Sequence, residues 1–74
     1  MIALHRVMDS RAGDIEHRFD TKNADDVAAA MDRFHELVRT HTAARKTGEG
    51  TSEIVREFSP TDTEVLFYPR VVGG

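Results

Sequence analysis

Alternation of apolar and polar residues at the start of the chain predicts two β-strands. Residues 2–9 alternate with period two, and both faces of the resulting strand carry apolar side chains. Residues 15–20 place Ile15, His17 and Phe19 on one face and charged residues on the other. The segment between them is rich in turn-forming residues. We therefore predict a β-hairpin over residues 2–20.

The next segment has the periodicity of an amphipathic helix. Asn23, followed by Asp25 and Asp26, has the pattern of an N-cap with acidic residues in the first turn, where they meet the positive end of the helix dipole. The pattern predicts a helix from about Ala24 to Arg39. Apolar residues at three- and four-residue spacing predict its buried stripe: Val27, Ala30, Met31, Phe34, Leu37 and Val38.

The remainder of the chain is predicted to return to β-structure. Residues 40–46 fit either a fraying helix end or a strand, and a strand is favoured because the Gly48–Gly50 turn precedes β-branched alternation over 52–58. Residues 59–62 fit a turn or the first turn of a short helix. Residues 65–68 are apolar on both faces, as in a central strand, and Pro69 ends them. The predicted fold is α+β, with the order ββαββ(β) and one helix on one mostly antiparallel sheet.

Composition narrows the classes of function. The 74 residues are 39% hydrophobic and 31% charged, which predicts one small domain over 1–70, with 71–74 as a flexible tail. The absence of cysteine excludes disulfides and thiolate catalysis and fits the reducing cytoplasm. No apolar run approaches the length of a membrane span. The net charge of −3 gives no general reason to bind nucleic acid or a membrane.

Few side chains form a pattern that carries chemistry. His5, His17, His35 and His41 lack the spacing of a metal site, so surface or half-buried histidines are the favoured interpretation and no metal is predicted. The serines lack a nucleophile-elbow motif, and the chain offers no recognisable catalytic set, which disfavours an enzyme. Arg39, His41, Arg45 and Lys46 form a locally basic stretch that would suit RNA or an acidic protein, although a solvated helix end is the favoured interpretation.

The end of the sequence resembles a known family. Residues 64–74, Glu-Val-Leu-Phe-Tyr-Pro-Arg-Val-Val-Gly-Gly, resemble the tail of bacterial sulfur carriers of the molybdopterin synthase small-subunit type, and the element order is similar to the β-grasp fold of ubiquitin-like proteins. The resemblance implies that an E1-like adenylating enzyme uses ATP to activate the carboxylate of Gly74. Gly73 and Gly74 would be the site of activation or conjugation, and four preceding residues would make tail contacts: Pro69, Arg70, Val71 and Val72. It implies no cofactor and no catalytic residue in the chain itself.

Two other interpretations of the tail stay open. Two glycines without side chains suit a narrow active site, but they also suit a frayed end or an end produced by truncation. If the Gly-Gly end is only frayed, the protein is interpreted as a small non-catalytic interaction module that binds a protein partner through a sheet face or an open edge. A protein partner is expected in either case.

Overall fold

The computed structural model describes residues 1–9 and 13–70, and it confirms the predicted α+β architecture. One helix packs on one five-stranded sheet with the spatial order β2-β1-β5-β3-β4. The elements are β1 (Ile2–Asp9), β2 (Gly13–Asp20), α1 (Ala24–Leu37), β3 (His41–Gly48), β4 (Thr51–Val55) and β5 (Glu64–Pro69). The β-grasp-like ββαββ(β) order is therefore confirmed as an arrangement of elements.

The last strand lies at the centre of the sheet. β5 pairs in parallel with β1 and antiparallel with β3. The β1–β2 and β3–β4 pairs are also antiparallel, so the sheet is mostly antiparallel with one parallel pair. Because β5 has a hydrogen-bonded neighbour on each side, the chain leaves the sheet from its middle and not from an edge.

The core lies between α1 and one face of the sheet. Phe34 of α1 and Phe67 of β5 are almost fully buried and contact each other with ring centroids 5.6 Å apart. Phe58, between β4 and β5, packs against both hydrophobic clusters and joins them. The remaining buried apolar residues on this face are mostly small, which brings the helix close to the sheet: Ala3, Val7, Phe19, Ala30, Ala43 and Val65.

The helix begins as predicted and ends earlier than predicted. The Asn23 side-chain oxygen accepts hydrogen bonds from the backbone N–H groups of Asp25 and Asp26, at 3.0 and 3.1 Å. The helix ends at Leu37, two residues before Arg39. Met31, predicted to lie in the buried stripe, is 39% exposed. The reason is geometric: each residue turns the helix by about 100°, so when Ala30 faces the sheet, Met31 lies at the side of the helix.

Tertiary contacts also change the predicted strands. The ambiguous segment after the helix is a strand, β3, but β4 ends at Val55, three residues before Phe58. Phe58 leaves the sheet edge because its ring is partly covered in the core, 5.9 Å from that of Phe34. Residues 59–62 form a turn, closed by a 3.2 Å bond from the Asp62 N–H to the Ser59 carbonyl. Ile15, predicted to face the core, is 41% exposed on the edge strand β2.

Candidate functional site at the end of the central strand

The end of β5 is fastened to the loop that follows α1. The backbone N–H of Arg70 donates to the carbonyl of Thr40 at 3.1 Å. The guanidinium Nη2 of the same residue donates to the carbonyl of Val38, the C-cap of the helix. A cation at this place is favourable because helix carbonyls leave partial negative charge at the C-terminal end. Arg70 is thus hydrogen-bonded to the end of α1 and to the loop that follows it, at the position where the tail begins.

Proline is compatible with the register at this point. Pro69 is the last residue of β5 and lies opposite His41 of β3. Antiparallel pairs alternate between hydrogen-bonded and non-hydrogen-bonded positions, and the Arg70–Thr40 bond makes the Pro69–His41 pair a non-hydrogen-bonded one. Its missing N–H therefore costs no bond to β3. The predicted tail residues Val71, Val72, Gly73 and Gly74 lie outside the described residues.

The locally basic stretch is largely paired with acidic residues. Arg45 donates to Glu53 at 2.8 Å and to Asp62 at 3.3 Å, and these hydrogen bonds raise its pKa. Lys46 lies 3.8 Å from Glu64. Arg39 lies 3.5 Å from Glu36. Because intramolecular carboxylates face these three cations, the stretch is not the strongest candidate for recognising an anionic partner.

Two histidines meet across the first hairpin. His5 of β1 lies directly opposite His17 of β2, on the face of the sheet that carries α1. His5 is fully buried, and neither of its ring nitrogens has a hydrogen-bond partner within the described residues. Four aromatic rings surround it, with centroids between 4.9 and 6.2 Å away: Phe19, Phe34, Phe58 and Phe67.

Burial favours the neutral form of both histidines. Loss of solvent lowers the pKa of His5 from 6.5 to about 4, and repulsion from Arg33 and from the protonated form of His17 adds to this shift. Burial and Arg33 also lower the pKa of His17. His35 lies exposed on α1 and His41 lies on β3. Across residues 1–9 and 13–70, no group of three or more His, Cys, Asp or Glu side chains is placed to hold a metal ion.

A cleft that the sequence did not predict lies beside Arg70, the last residue before the tail. It has a volume of about 450 Å³ and lies at the sheet edge, between the end of α1 and the end of β4. Val38, Ile54 and Val55 supply apolar surface, and Arg56 and Arg70 supply two guanidinium groups. No sequence pattern identifies Arg56 or Ile54 as site residues, because the cleft forms where β4 ends at Val55 and not at Phe58 as predicted.

Among the described residues, no helix covers the sheet face opposite α1, and this face is partly apolar. Leu4, Leu66 and Ala44 lie on this face on the three central strands, as the strand register shows. Ile54, directly opposite Ala44, is 65% exposed, and Tyr68 is 42% exposed. Ion pairs on the same face, such as Arg6–Glu16 at 3.1 Å, accompany this apolar strip.

Within the described part of the chain, no helix is long and apolar enough to cross a membrane.

Comparison with protein-family models, curated proteins and solved structures finds no match for this chain. The structure defines the class of the protein as α+β, with one helix on a mixed five-stranded sheet.

Proposed function

We propose that the protein is a small ubiquitin-like modifier or sulfur carrier that is activated at the carboxylate of Gly74. The observation that carries the proposal is the position of β5, which is hydrogen-bonded to β1 and β3 and fastened at Arg70. A segment that starts from the centre of a sheet has a fixed origin, so an enzyme that binds the domain also locates the segment that follows.

The composition of the tail fits this use. The four residues that follow Arg70 are Val71, Val72, Gly73 and Gly74. Four residues in extended conformation span at most about 14 Å, enough to enter an active site while the domain stays outside. Glycine has no Cβ and therefore fits where a narrow channel approaches the backbone closely.

The proposed chemistry uses the protein as a substrate and not as the enzyme. An E1-like partner would direct the Gly74 carboxylate onto the α-phosphate of ATP, which forms an acyl adenylate and releases pyrophosphate. A sulfur donor or an amine would then attack the acyl carbon and displace AMP. The products are a thiocarboxylate in a sulfur carrier and an amide in a protein modifier. We place this chemistry in the cytoplasm.

Intact mass measurement on protein from its own host tests the proposal. Replacement of one oxygen by sulfur, or a covalent adduct at Gly74, is the expected result. In host extract with ATP, adding one alanine after Gly74 is expected to abolish adenylation, because the reactive carboxylate is displaced. Lys22→Ala, an exposed change remote from the tail, is the control and is expected to leave adenylation intact. Equal adenylation of the extended and original chains would contradict the proposal.

A second candidate function is a non-catalytic interaction module. The open apolar strip, with Ile54 at its edge, favours it, because exposed apolar surface on a small domain marks interaction sites. Here Ile54→Asp is expected to abolish partner binding, while deletion of residues 71–74 leaves it unchanged. Binding that requires the tail and tolerates the aspartate would reject this candidate.

A further inference from the structure

One edge of β3 is open where the cleft begins. The register between β3 and β4 ends at the Ala43–Val55 pair, so β4 provides no residue opposite His41. Backbone groups of successive strand residues point to opposite edges. Because the Thr40 carbonyl points to β5, where it accepts from Arg70, the backbone N–H and C=O of His41 point to the β4 side. An extended chain can pair there without displacing any strand.

The charge beside this edge is positive. Arg56 and Arg70 line the cleft, and neither forms an ion pair within residues 1–9 and 13–70. Arg70 uses one N–H on the Val38 carbonyl, but a guanidinium has five N–H donors. Both groups can therefore receive a carboxylate. None of the described residues that line the cleft is acidic.

The cleft also offers apolar surface in addition to these charges. Val38 at the end of α1 and Val55 at the end of β4 are both half-buried, and Ile54 is largely exposed. An open backbone edge, apolar surface and two guanidiniums are three features that a single ligand can satisfy. The ligand that matches all three is an extended peptide with carboxylates beside an aliphatic side chain.

We propose that this cleft binds an acidic, extended segment of a partner protein, which pairs with the open edge of β3 at His41 and places carboxylates on Arg56 and Arg70. A nucleic acid would satisfy the two guanidiniums and could stack a base on the imidazole of His41, but it would leave the backbone edge and the apolar surface unused. The inference goes beyond the chemistry of Gly74 and holds whether or not that residue is activated.

The test is direct binding of a defined probe to the purified full chain, in the absence of ATP. The probe is a fluorescent nine-residue peptide in which glutamate and valine alternate, with both ends blocked. The matched probe has glutamine in place of glutamate. We expect saturable binding of the acidic peptide, weaker binding at higher salt, and at least tenfold weaker binding of the glutamine peptide.

Substitutions locate the site. Arg56→Gln and Arg70→Gln are each expected to weaken binding about threefold to tenfold. Arg18→Gln changes an exposed arginine on the opposite edge strand, β2, and is expected to leave binding unchanged. NMR is expected to show peptide-induced shifts at the amides of His41 and Arg56, together with slower hydrogen exchange of the His41 N–H.

Four outcomes would overturn the inference. They are no saturable binding, equal affinity for the glutamine peptide, equal losses in Arg56→Gln and Arg18→Gln, and tighter binding of a single-stranded oligonucleotide of equal charge. Since the assay uses neither ATP nor an adenylating enzyme, its failure is distinguishable from a failure of Gly74 activation.

Discussion

His5 lies opposite His17 in the β1–β2 pair, and both side chains point to the face of the sheet that carries α1. Alternation in β1 decides this placement, because His5 shares its face with the buried Ala3 and Val7. A polar imidazole thus occupies a position in the hydrophobic core. Its protonation would place a charge among aromatic rings, next to a second histidine, at a large cost in solvation.

Stability is expected to fall when the solution is made mildly acidic. The pKa of His5 is about 4 in the folded protein and 6.5 when exposed, so the unfolded state binds more protons between these values. The contribution of neutral His5 is complete above pH 6.5 and is lost as the pH falls to about 4. The full loss is roughly 3 kcal/mol, and urea unfolding between pH 7 and 5 measures its first part.

A phenylalanine at position 5 separates this effect from acid denaturation by carboxylates. His5→Phe keeps an aromatic ring at this place and removes the titrating group, so its stability is expected to fall less between pH 7 and 5 than that of the original chain. The part that remains comes from groups such as His17, whose pKa is also lowered by burial. His35→Gln, on the exposed part of α1, serves as control and should keep the pH dependence of the original chain. If His5→Phe loses stability as steeply as the original protein, the assignment to His5 is wrong.

The rotation of α1 predicts unequal effects of two helix substitutions. Phe34 is 1% exposed, so Phe34→Ala is expected to lower the free energy of unfolding by about 3–5 kcal/mol. That is a large part of the roughly 4–11 kcal/mol expected of a chain this size. Met31→Ala removes a side chain at the rim and is expected to cost less than about 1 kcal/mol. Similar losses in urea unfolding would place Met31 in the core after all.

Removal of the N-cap of α1 is expected to lower stability, whereas a substitution that keeps the capping oxygen is not. Asn23→Ala removes the acceptor for the Asp25 and Asp26 N–H groups and is expected to cost about 1 kcal/mol. Asn23→Asp retains an oxygen at this place and, since aspartate caps as well as asparagine, should keep most of the stability. Thermal unfolding followed by circular dichroism measures both. Equal losses for the two variants would show that the cap does not contribute.

A side chain at Gly50, in the β3–β4 turn, is expected to lower stability through backbone strain and not through a steric clash. Gly50 has φ +76, and a Cβ added there would meet no atom within 4 Å. Gly50→Ala is therefore expected to cost about 1 kcal/mol through backbone strain alone. Gly50→Asn should cost less, since asparagine tolerates this conformation better than alanine. An alanine variant as stable as the original chain in urea would mean that the turn adopts another conformation.

The sequence by itself determined those helix and strand features that depend on residues close together in the chain. The cap at Asn23, the period of the helix and the alternation of β1 and β2 depend on residues within a few positions of each other, so their pattern is visible in the chain. The apolar run before Pro69 likewise predicted the central strand, and together these elements predicted the α+β order. The proposal that Gly74 is activated comes from the sequence and from the family that residues 64–74 resemble.

Tertiary structure alone decided how distant segments meet. β1 and β5 pair in parallel although some 60 residues separate them along the chain, and their register places the apolar residues of both strands on the buried face. Burial of His5 depends on rings from three other elements and the loop that holds Phe58. The cleft joins Val38, Arg56 and Arg70, which share no sequence pattern. Local propensity cannot specify such contacts, because they arise when the whole chain excludes water from one core.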